Sequence, residues 1–268
     1  MIQRMASIID KIRWLSLDIV VGSVVLLHFT ARHWSLSVPF SVSYALAAAV
    51  WLIYTADHLL DARSIPTKPS PRRKFHKESS KYLKWVAIVV LLSSAPAVLT
   101  IPRIVLWNGL ILSIACVLYL AVARLLGRRG AKELAIAVIY ASGILLFPFS
   151  SVQWVLLDTV YWFQLALLAF GNLLLIAYYE AEEDDHERFS SLVQLLGKRR
   201  SRQLTISLCM FSLTLGVGML WYEWSSLQLF YCFASTVLLM IAFGAAPIRT
   251  TGKYAPWVDG IFFIPLLL

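Results

Sequence analysis

Long uninterrupted runs of apolar residues, separated by short polar segments, recur from one end of this chain to the other. A helix needs about 20 apolar residues to cross the roughly 30 Å hydrocarbon core of a bilayer. Eight runs are long enough, and a ninth, from Pro256 to Leu268, is apolar but short. The eight predicted spans cover residues 14–31, 36–56, 82–101, 103–122, 133–151, 157–179, 204–221 and 225–246. The pattern predicts an all-α, polytopic membrane bundle of eight to nine transmembrane helices, in a single domain covering residues 1–268.

Composition excludes the soluble classes of protein. Hydrophobic residues make up 59% of the chain, charged residues 15%, and the mean hydropathy is +0.73. Soluble domains are about 45–50% apolar and about 25% charged. Cys116, Cys209 and Cys232 lie in apolar runs without CxxC spacing, so we interpret them as small core residues. The first run lacks a small-residue cleavage site, and we therefore expect no cleavable signal peptide.

The positive charges predict the orientation in the membrane. The chain has 24 Lys and Arg residues, and 22 of them fall in segments on one side of the predicted spans; only Arg32 and Arg103 fall on the other. Because positive residues concentrate on the cytoplasmic side, the N-terminus and the large polar loops are expected there, in a multi-pass protein of a bacterial inner membrane. The lipid bilayer, with its anionic head groups, is then the expected partner of these charges. Nucleic acid is not an expected partner, despite the net charge of +9, because the positive residues follow the membrane topology.

Two acidic clusters follow apolar spans directly at the predicted cytoplasmic face. Asp57 and Asp61 stand four residues apart after the second span, and Glu180 and Asp184 repeat that spacing after the sixth. Residues four apart share one face of a helix. Each pair alone is also typical of solvated acids at a helix end, the first of them balanced by Arg63. Two such pairs at equivalent positions favour a shared site and hint at an internal repeat of helix pairs.

Carboxylate pairs facing each other across a cavity suit Mg²⁺, which binds carboxylates, water and substrate phosphates. Such ions would neutralise a diphosphate leaving group and promote ionisation of an allylic carbon–oxygen bond. We therefore take Asp57, Asp61, Glu180 and Asp184 as candidate metal-binding and catalytic residues. Basic side chains would complete a diphosphate pocket, although each of them also serves as a topology determinant. The candidates are Arg72, Arg73, Arg124 and Lys132, with Lys74, Arg128 and Arg129 as neighbours.

These motifs resemble those of the UbiA-type intramembrane prenyltransferases, which have nine transmembrane helices and two aspartate-rich cytoplasmic motifs, NDxxDxxxD and DxxxD. After Glu180-x-x-x-Asp184, the pair Ser191-Leu192 and then Gly197 follow at the offsets typical of the family. The resemblance implies a UbiA-like fold and Mg²⁺-dependent transfer of a prenyl group from a polyprenyl diphosphate to a lipophilic acceptor within the membrane. It also implies that the two motifs bind the metal and the diphosphate.

The stretch from Tyr119 through Arg124 to Lys132 is similar to the Tyr-x-x-x-Lys-Arg region of the family, with Ala123 at the Lys position. Other positions depart from the family pattern. In the second motif, Glu180 replaces an Asp, and Arg188 stands where a Gly is usual.

The first motif is incomplete, because Ile53 and Tyr54 occupy the positions of its Asn and first Asp. In the family those two residues help to bind metal and to position the acceptor. A divergent branch with a different acceptor and a degenerate, non-catalytic homologue are both consistent with this change.

The leading hypothesis is thus a membrane prenyltransferase whose isoprenoid tail lies in a cavity open to lipid. Aromatic rings stabilise allylic cations, and Trp51, Phe147, Trp162 and Phe170 are candidates to line that cavity. One alternative is a membrane terpene synthase or cyclase that uses the same diphosphate site without an external acceptor. Another is a transporter, or a non-catalytic subunit with a partner in a membrane complex, because intramembrane carboxylates also mark ion pathways. Asp259, which enters the last apolar stretch, is the residue to test for that alternative.

Overall fold

The computed structural model describes residues 10–62, 71–125, 132–186, 191–244 and 255–268. Over these residues the fold is all-α, which confirms the predicted class. In chain order the helices are α1 (Leu17–His33), α2 (Phe40–Asp61), α3 (Pro71–Glu78), α4 (Ser80–Thr100), α5 (Arg103–Leu125), α6 (Lys132–Ser151), α7 (Asp158–His186), α8 (Leu192–Leu196), α9 (Lys198–Tyr222), α10 (Ser226–Ala242) and α11 (Ala255–Asp259), followed by a 3₁₀ helix (Gly260–Leu267).

Each of the eight predicted spans coincides with one long helix of the described chain. Five helices are long and apolar enough to cross a membrane: α2, α4, α6, the Asp158–Glu182 part of α7, and α9. The apolar parts of α5 and α10 and the C-terminal segment Pro256–Leu267 are shorter. The five long apolar helices identify the chain as an integral, multi-pass membrane protein.

Helix α7 forms the centre of the bundle, and α4 lies at its edge. In the most apolar stretch of α7, 72% of the residues are buried, compared with 6% in that of α4. Helix α7 packs against α6, α9, α10 and α11, whereas α4 packs mainly against α2. The large apolar side chains of α4, such as Trp85 and Leu92, are exposed, as expected for a helix that faces lipid.

Helices α4 and α5 diverge although they are neighbours in the chain. They are joined by a short turn at Ile101 and Pro102, yet they make few contacts with each other along their length. Helix α4 packs against α2, while α5 packs against α6; α1 contacts both α2 and α6. The divergence leaves a wedge between α4 and α5.

The structure differs from the sequence prediction in the first large polar loop. The segment between the second and third spans was predicted as a polar loop, but it contains helix α3, which begins at Pro71. Proline is favoured at the first helical position, where its missing N–H costs nothing. The second acidic cluster lies on α7, which continues to His186, beyond the apolar part of the helix. Glu180 and Asp184 are therefore on a helix, as their spacing predicted.

Candidate functional site

An apolar cavity of about 360 Å³ lies between α1, α2, α4, α5 and α6, behind the wedge that separates α4 from α5. Aliphatic side chains form most of its wall, among them Leu46, Val105 and Leu146. Ligand pockets in proteins typically enclose about 300–1,000 Å³. Polar groups gather at the end of the bundle where α2 finishes, and there Asp57 and Tyr119 line the cavity. The cavity thus has an apolar body and a charged mouth.

An ion pair between α2 and α6 lies at that mouth. Lys132 Nζ lies 2.9 Å from both carboxylate oxygens of Asp57 and donates a hydrogen bond to the group. Both side chains keep part of their surface exposed. In the described part of the chain, the buried hydroxyl of Tyr119 has no hydrogen-bond partner. A ligand oxygen at this mouth would therefore find an ammonium group and a free hydroxyl together.

A second ion pair links α3 to α7 at the same end of the bundle. Arg72 Nη2 lies 3.7 Å from Glu180 Oε2. Asp61, at the end of α2, lies within electrostatic reach of Lys132, Asp57, Arg73 and Arg72. The structure therefore brings six of the eight predicted site residues to one mouth: Asp57, Asp61, Glu180, Arg72, Arg73 and Lys132.

The other two predicted site residues lie outside the described side chains. Arg124 and Asp184 are on the helical backbones of α5 and α7, and their side chains are not described. Arg128, Arg129 and Arg188 lie outside the described residues altogether. Lys74 is at the surface, where it pairs with Glu78 at 3.9 Å.

Helix α3 packs against α2 and carries two buried polar side chains. Arg73 and His76 are almost fully buried, and the ring of His76 stacks on that of His58, with 4.7 Å between their centroids. His58 also contacts the Ser16 hydroxyl at 3.2 Å. Burial and the neighbouring Arg72 charge lower the pKa of His76 to about 4. His76 is therefore neutral at physiological pH and adds no charge to the mouth.

Among the side chains that the structure describes, no three His, Cys, Asp or Glu residues converge as a metal-binding group. The carboxylates of Asp57 and Glu180 are paired with basic side chains instead. Such donors still fit Mg²⁺, because this ion usually takes only one or two protein carboxylates and completes its shell with water and substrate phosphates.

A second, polar cavity of about 150 Å³ lies on the other side of a thin wall. Tyr54 from α2 and Ile136 and Tyr140 from α6 line both cavities. The charged residues around the polar cavity are Arg13, Asp18, Arg72, Glu180 and Asp259. Asn172 of α7 also lines it and donates a hydrogen bond from Nδ2 to Asp259 Oδ1 at 3.2 Å.

Most residues of the polar cavity were not predicted from the sequence. Asn172 carried one usable signal, because a lone amide within an apolar span is expensive in a membrane and often functional. Arg13 and Asp18 precede or begin α1, and nothing in the sequence connects them with Asp259, more than 240 residues away. The Asp259 carboxylate accepts a hydrogen bond from Asn172 and lies 3.9 Å from the Arg13 guanidinium.

Of the four aromatic residues predicted to line the apolar cavity, only Phe147 does so in the described structure. Phe170 packs in a separate cluster with Ala137 and Leu174. Trp162 donates a hydrogen bond to the Ser142 hydroxyl at 3.0 Å. Trp51 is buried but is not part of the cavity wall. The prediction was wrong for these three because regular spacing along a helix does not identify the face that meets the cavity.

No known protein family, curated protein or solved structure matches this chain.

Proposed function

We propose that the protein is a membrane prenyltransferase, which transfers the prenyl group of a polyprenyl diphosphate to a lipophilic acceptor. One observation carries the proposal: an apolar cavity has Asp57 and Tyr119 in its wall at one end, where Lys132 pairs with Asp57. An isoprenoid diphosphate has the same division into a long apolar tail and a small, highly charged head. The cytoplasmic placement of the charged mouth, and eight to nine spans in total, are part of the proposal and follow from the charge distribution.

The apolar cavity would hold the tail. Burial of hydrocarbon from water is worth about 0.8 kcal/mol per methylene, but lipid already shields the tail. Shape and access therefore matter more than hydrophobicity alone. The wedge between α4 and α5 would give a lateral entry from the bilayer, so that the tail need not cross water.

Lys132, Arg72 and Arg73 would bind the diphosphate. The Lys132 ammonium has three donor positions, and Asp57 holds it at the mouth. The Arg72 guanidinium, held by Glu180, can donate to phosphate oxygens in a forked geometry. As the allylic carbon–oxygen bond breaks, these fixed positive groups would stabilise the charge that develops on the leaving diphosphate.

Mg²⁺ is the proposed cofactor, with one or two carboxylates per ion drawn from the pairs Asp57 with Asp61 and Glu180 with Asp184. When bound with the substrate, the ion would supply further charge neutralisation at the diphosphate. The protein groups would orient the head, exclude water from the allylic carbon, and keep the tail in the apolar cavity.

The polar cavity behind Tyr54 and Tyr140 favours transfer over cyclisation. A cyclase needs one cavity only, whereas transfer needs a second place where an acceptor can meet the allylic carbon. In the balanced reaction the carbon–oxygen bond breaks, diphosphate leaves with the electron pair, the carbon bonds to the acceptor, and the acceptor loses a proton. A terpene synthase that uses the apolar cavity alone is the alternative enzyme.

Purified protein, incubated with geranylgeranyl diphosphate and a lipid extract, tests the proposal. We expect diphosphate release and prenylated lipid, detected by mass spectrometry, only when Mg²⁺ is present. Asp57→Asn and Asp184→Asn should each reduce turnover by at least tenfold. The matched control is Glu78→Gln, which also turns a carboxylate into an amide but at an exposed position on the same side of the bundle.

Turnover that is unchanged in both aspartate variants would contradict the assignment of these residues. Release of diphosphate with a cyclic or eliminated hydrocarbon as the sole product would favour the terpene synthase. Failure of every allylic diphosphate to bind, with or without Mg²⁺, would favour a non-catalytic membrane subunit.

A further inference from the structure

We infer that the polar cavity is the binding site for the head group of the acceptor, and that it selects a hydroxyl or amine over an anionic group. The identification as an acceptor site rests on the proposed function, whereas the binding chemistry follows from the cavity wall itself. Two independent features carry the inference: an unpartnered amide oxygen and the balance of fixed charges.

The unpartnered atom is Asn172 Oδ1. Asn172 is about 4% exposed and lines the polar cavity. Its Nδ2 group donates to Asp259, but in the described part of the chain Oδ1 has no hydrogen-bond partner. A buried acceptor without a donor costs about 1–3 kcal/mol. A ligand that donates a hydrogen bond, such as an alcohol, phenol or amine, would satisfy it.

The fixed charges disfavour an anion. Three carboxylates line the cavity, from Asp18, Glu180 and Asp259, against the two guanidinium groups of Arg13 and Arg72. Both arginines are already engaged by these acids: Arg13 lies 3.6 Å from Asp18 and 3.9 Å from Asp259, and Arg72 lies 3.7 Å from Glu180. The His58 ring also lines the cavity, where its Nε2 atom lies 3.2 Å from the Ser16 hydroxyl. Unlike the diphosphate, which the proposed Mg²⁺ would accompany, an incoming carboxylate would bring no cation with it. It would meet an excess of negative charge, and both nearby arginines would already have acidic partners.

The position of the cavity explains why this selectivity matters for the reaction. Tyr54 and Tyr140 separate the polar cavity from the apolar one, and Arg72 and Glu180 line the polar side while Asp57 lines the apolar side. An acceptor head in the polar cavity would be adjacent to the mouth where the diphosphate binds. Hydrogen bonding by Asn172 and Asp259 would hold its nucleophilic atom on that side of the tyrosine wall.

Three ligands that share one ring and differ only in the head group test the inference: benzyl alcohol, benzylamine and benzoate. Their binding to the purified full-length protein in micelles is titrated by saturation-transfer difference NMR. We expect saturable binding of the alcohol and the amine, and at least tenfold weaker binding of benzoate. Asn172→Leu should weaken binding of the alcohol at least tenfold, because it removes the free oxygen and fills the space.

Asp259→Asn provides a second variant that changes charge without changing shape. It leaves two carboxylates against two guanidinium groups, so binding of benzoate should improve and binding of benzylamine should weaken. Glu223→Gln, near the opposite end of the bundle, is the control with the same chemical change. Equal binding of benzoate and benzyl alcohol by the wild type, or unchanged selectivity in Asp259→Asn, would overturn the inference.

Parallel titration with geranyl diphosphate and Mg²⁺ separates this inference from the proposed function. If the alcohol binds selectively while the diphosphate does not, the polar site stands and the prenyl-transfer proposal fails. If the diphosphate binds while the three ring ligands do not, the prenyl-transfer proposal stands and the inference about the polar cavity fails.

Discussion

Tyr54 forms part of the wall between the apolar cavity and the polar cavity. The resemblance to the UbiA-type enzymes would align this tyrosine with an aspartate. Ile53, beside it, lines the apolar cavity. A carboxylate at position 54 would add a fourth acid near Asp18, Asp57 and Asp259, all of which act electrostatically on Tyr54. The aromatic replacement instead separates tail and head-group spaces.

His76 provides a prediction about pH. Its pKa of about 4 in the folded protein is below the value of about 6.5 for an unperturbed imidazole. Between these two values the unfolded chain binds a proton that the folded chain does not, so stability decreases as pH falls through this window. We expect the unfolding temperature in detergent to drop between pH 7 and pH 5, and His76→Phe to reduce that drop.

The control for this measurement is His28→Phe, which removes an exposed histidine at a distance from the mouth. A His76→Phe protein with the same pH dependence as the wild type would contradict the role of His76. The variant keeps an aromatic ring beside His58, so the stacking contact does not change in kind.

At the scale of the helices, the sequence predicted most of the bundle because length and hydrophobicity are local properties. The spans around α2, α4 and α6 were placed to within a few residues. Helix α3 was missed because it is short and polar, and its stability comes from tertiary contacts of Arg73 and His76.

The candidate site was only partly predictable, because spacing within a helix is visible in the sequence whereas contacts between helices are not. The four-residue spacing of Asp57 and Asp61 is visible in the sequence, whereas the pairing of Asp57 with Lys132 depends on the packing of α2 beside α6. The contact between Asn172 and Asp259 likewise depends on how the C-terminal segment returns to α7.

Helix α6 lends itself to a test of the apolar cavity, because Gly143 forms part of the wall. A Cβ atom there would meet Leu112 and Leu46 at 3.9 Å, an ordinary contact, so a larger side chain can extend into the cavity. Gly143 is about 16 Å along the helix from Lys132, at 1.5 Å per residue. Gly143→Phe should therefore weaken binding of geranylgeranyl diphosphate by about tenfold, roughly the effect of overpacking by 1–3 kcal/mol, because the ring would occupy the space of the tail end. It should affect the shorter geranyl diphosphate less.

Gly218→Phe is the matched control, because Gly218 lies on α9 with nothing within 4 Å of its added Cβ atom among the described residues. Equal loss of both diphosphates in Gly143→Phe, or equal losses in the two glycine variants, would argue against a tail in this cavity.

At the scale of the whole molecule, the distribution of charge predicts one orientation in the bilayer. Glu78 on α3 should face the cytoplasm, and Leu156, in the exposed turn between α6 and α7, should face the opposite side. In protein whose native cysteines are replaced by serine, a membrane-impermeant maleimide should label Leu156→Cys in intact cells. Glu78→Cys should react only after the membrane is permeabilised; the reverse pattern would contradict the orientation.

The most direct test of the proposed site is photo-crosslinking with an allylic diphosphate that carries a diazirine at the end of its tail, followed by mass spectrometry of the labelled peptides. We predict Mg²⁺-dependent labelling of α2, α5 and α6 near Leu46, Leu112 and Gly143, which disappears when unmodified geranylgeranyl diphosphate is added. Labelling confined to the lipid-facing surface of α9, or labelling that excess unmodified diphosphate does not reduce, would contradict a diphosphate tail in the apolar cavity.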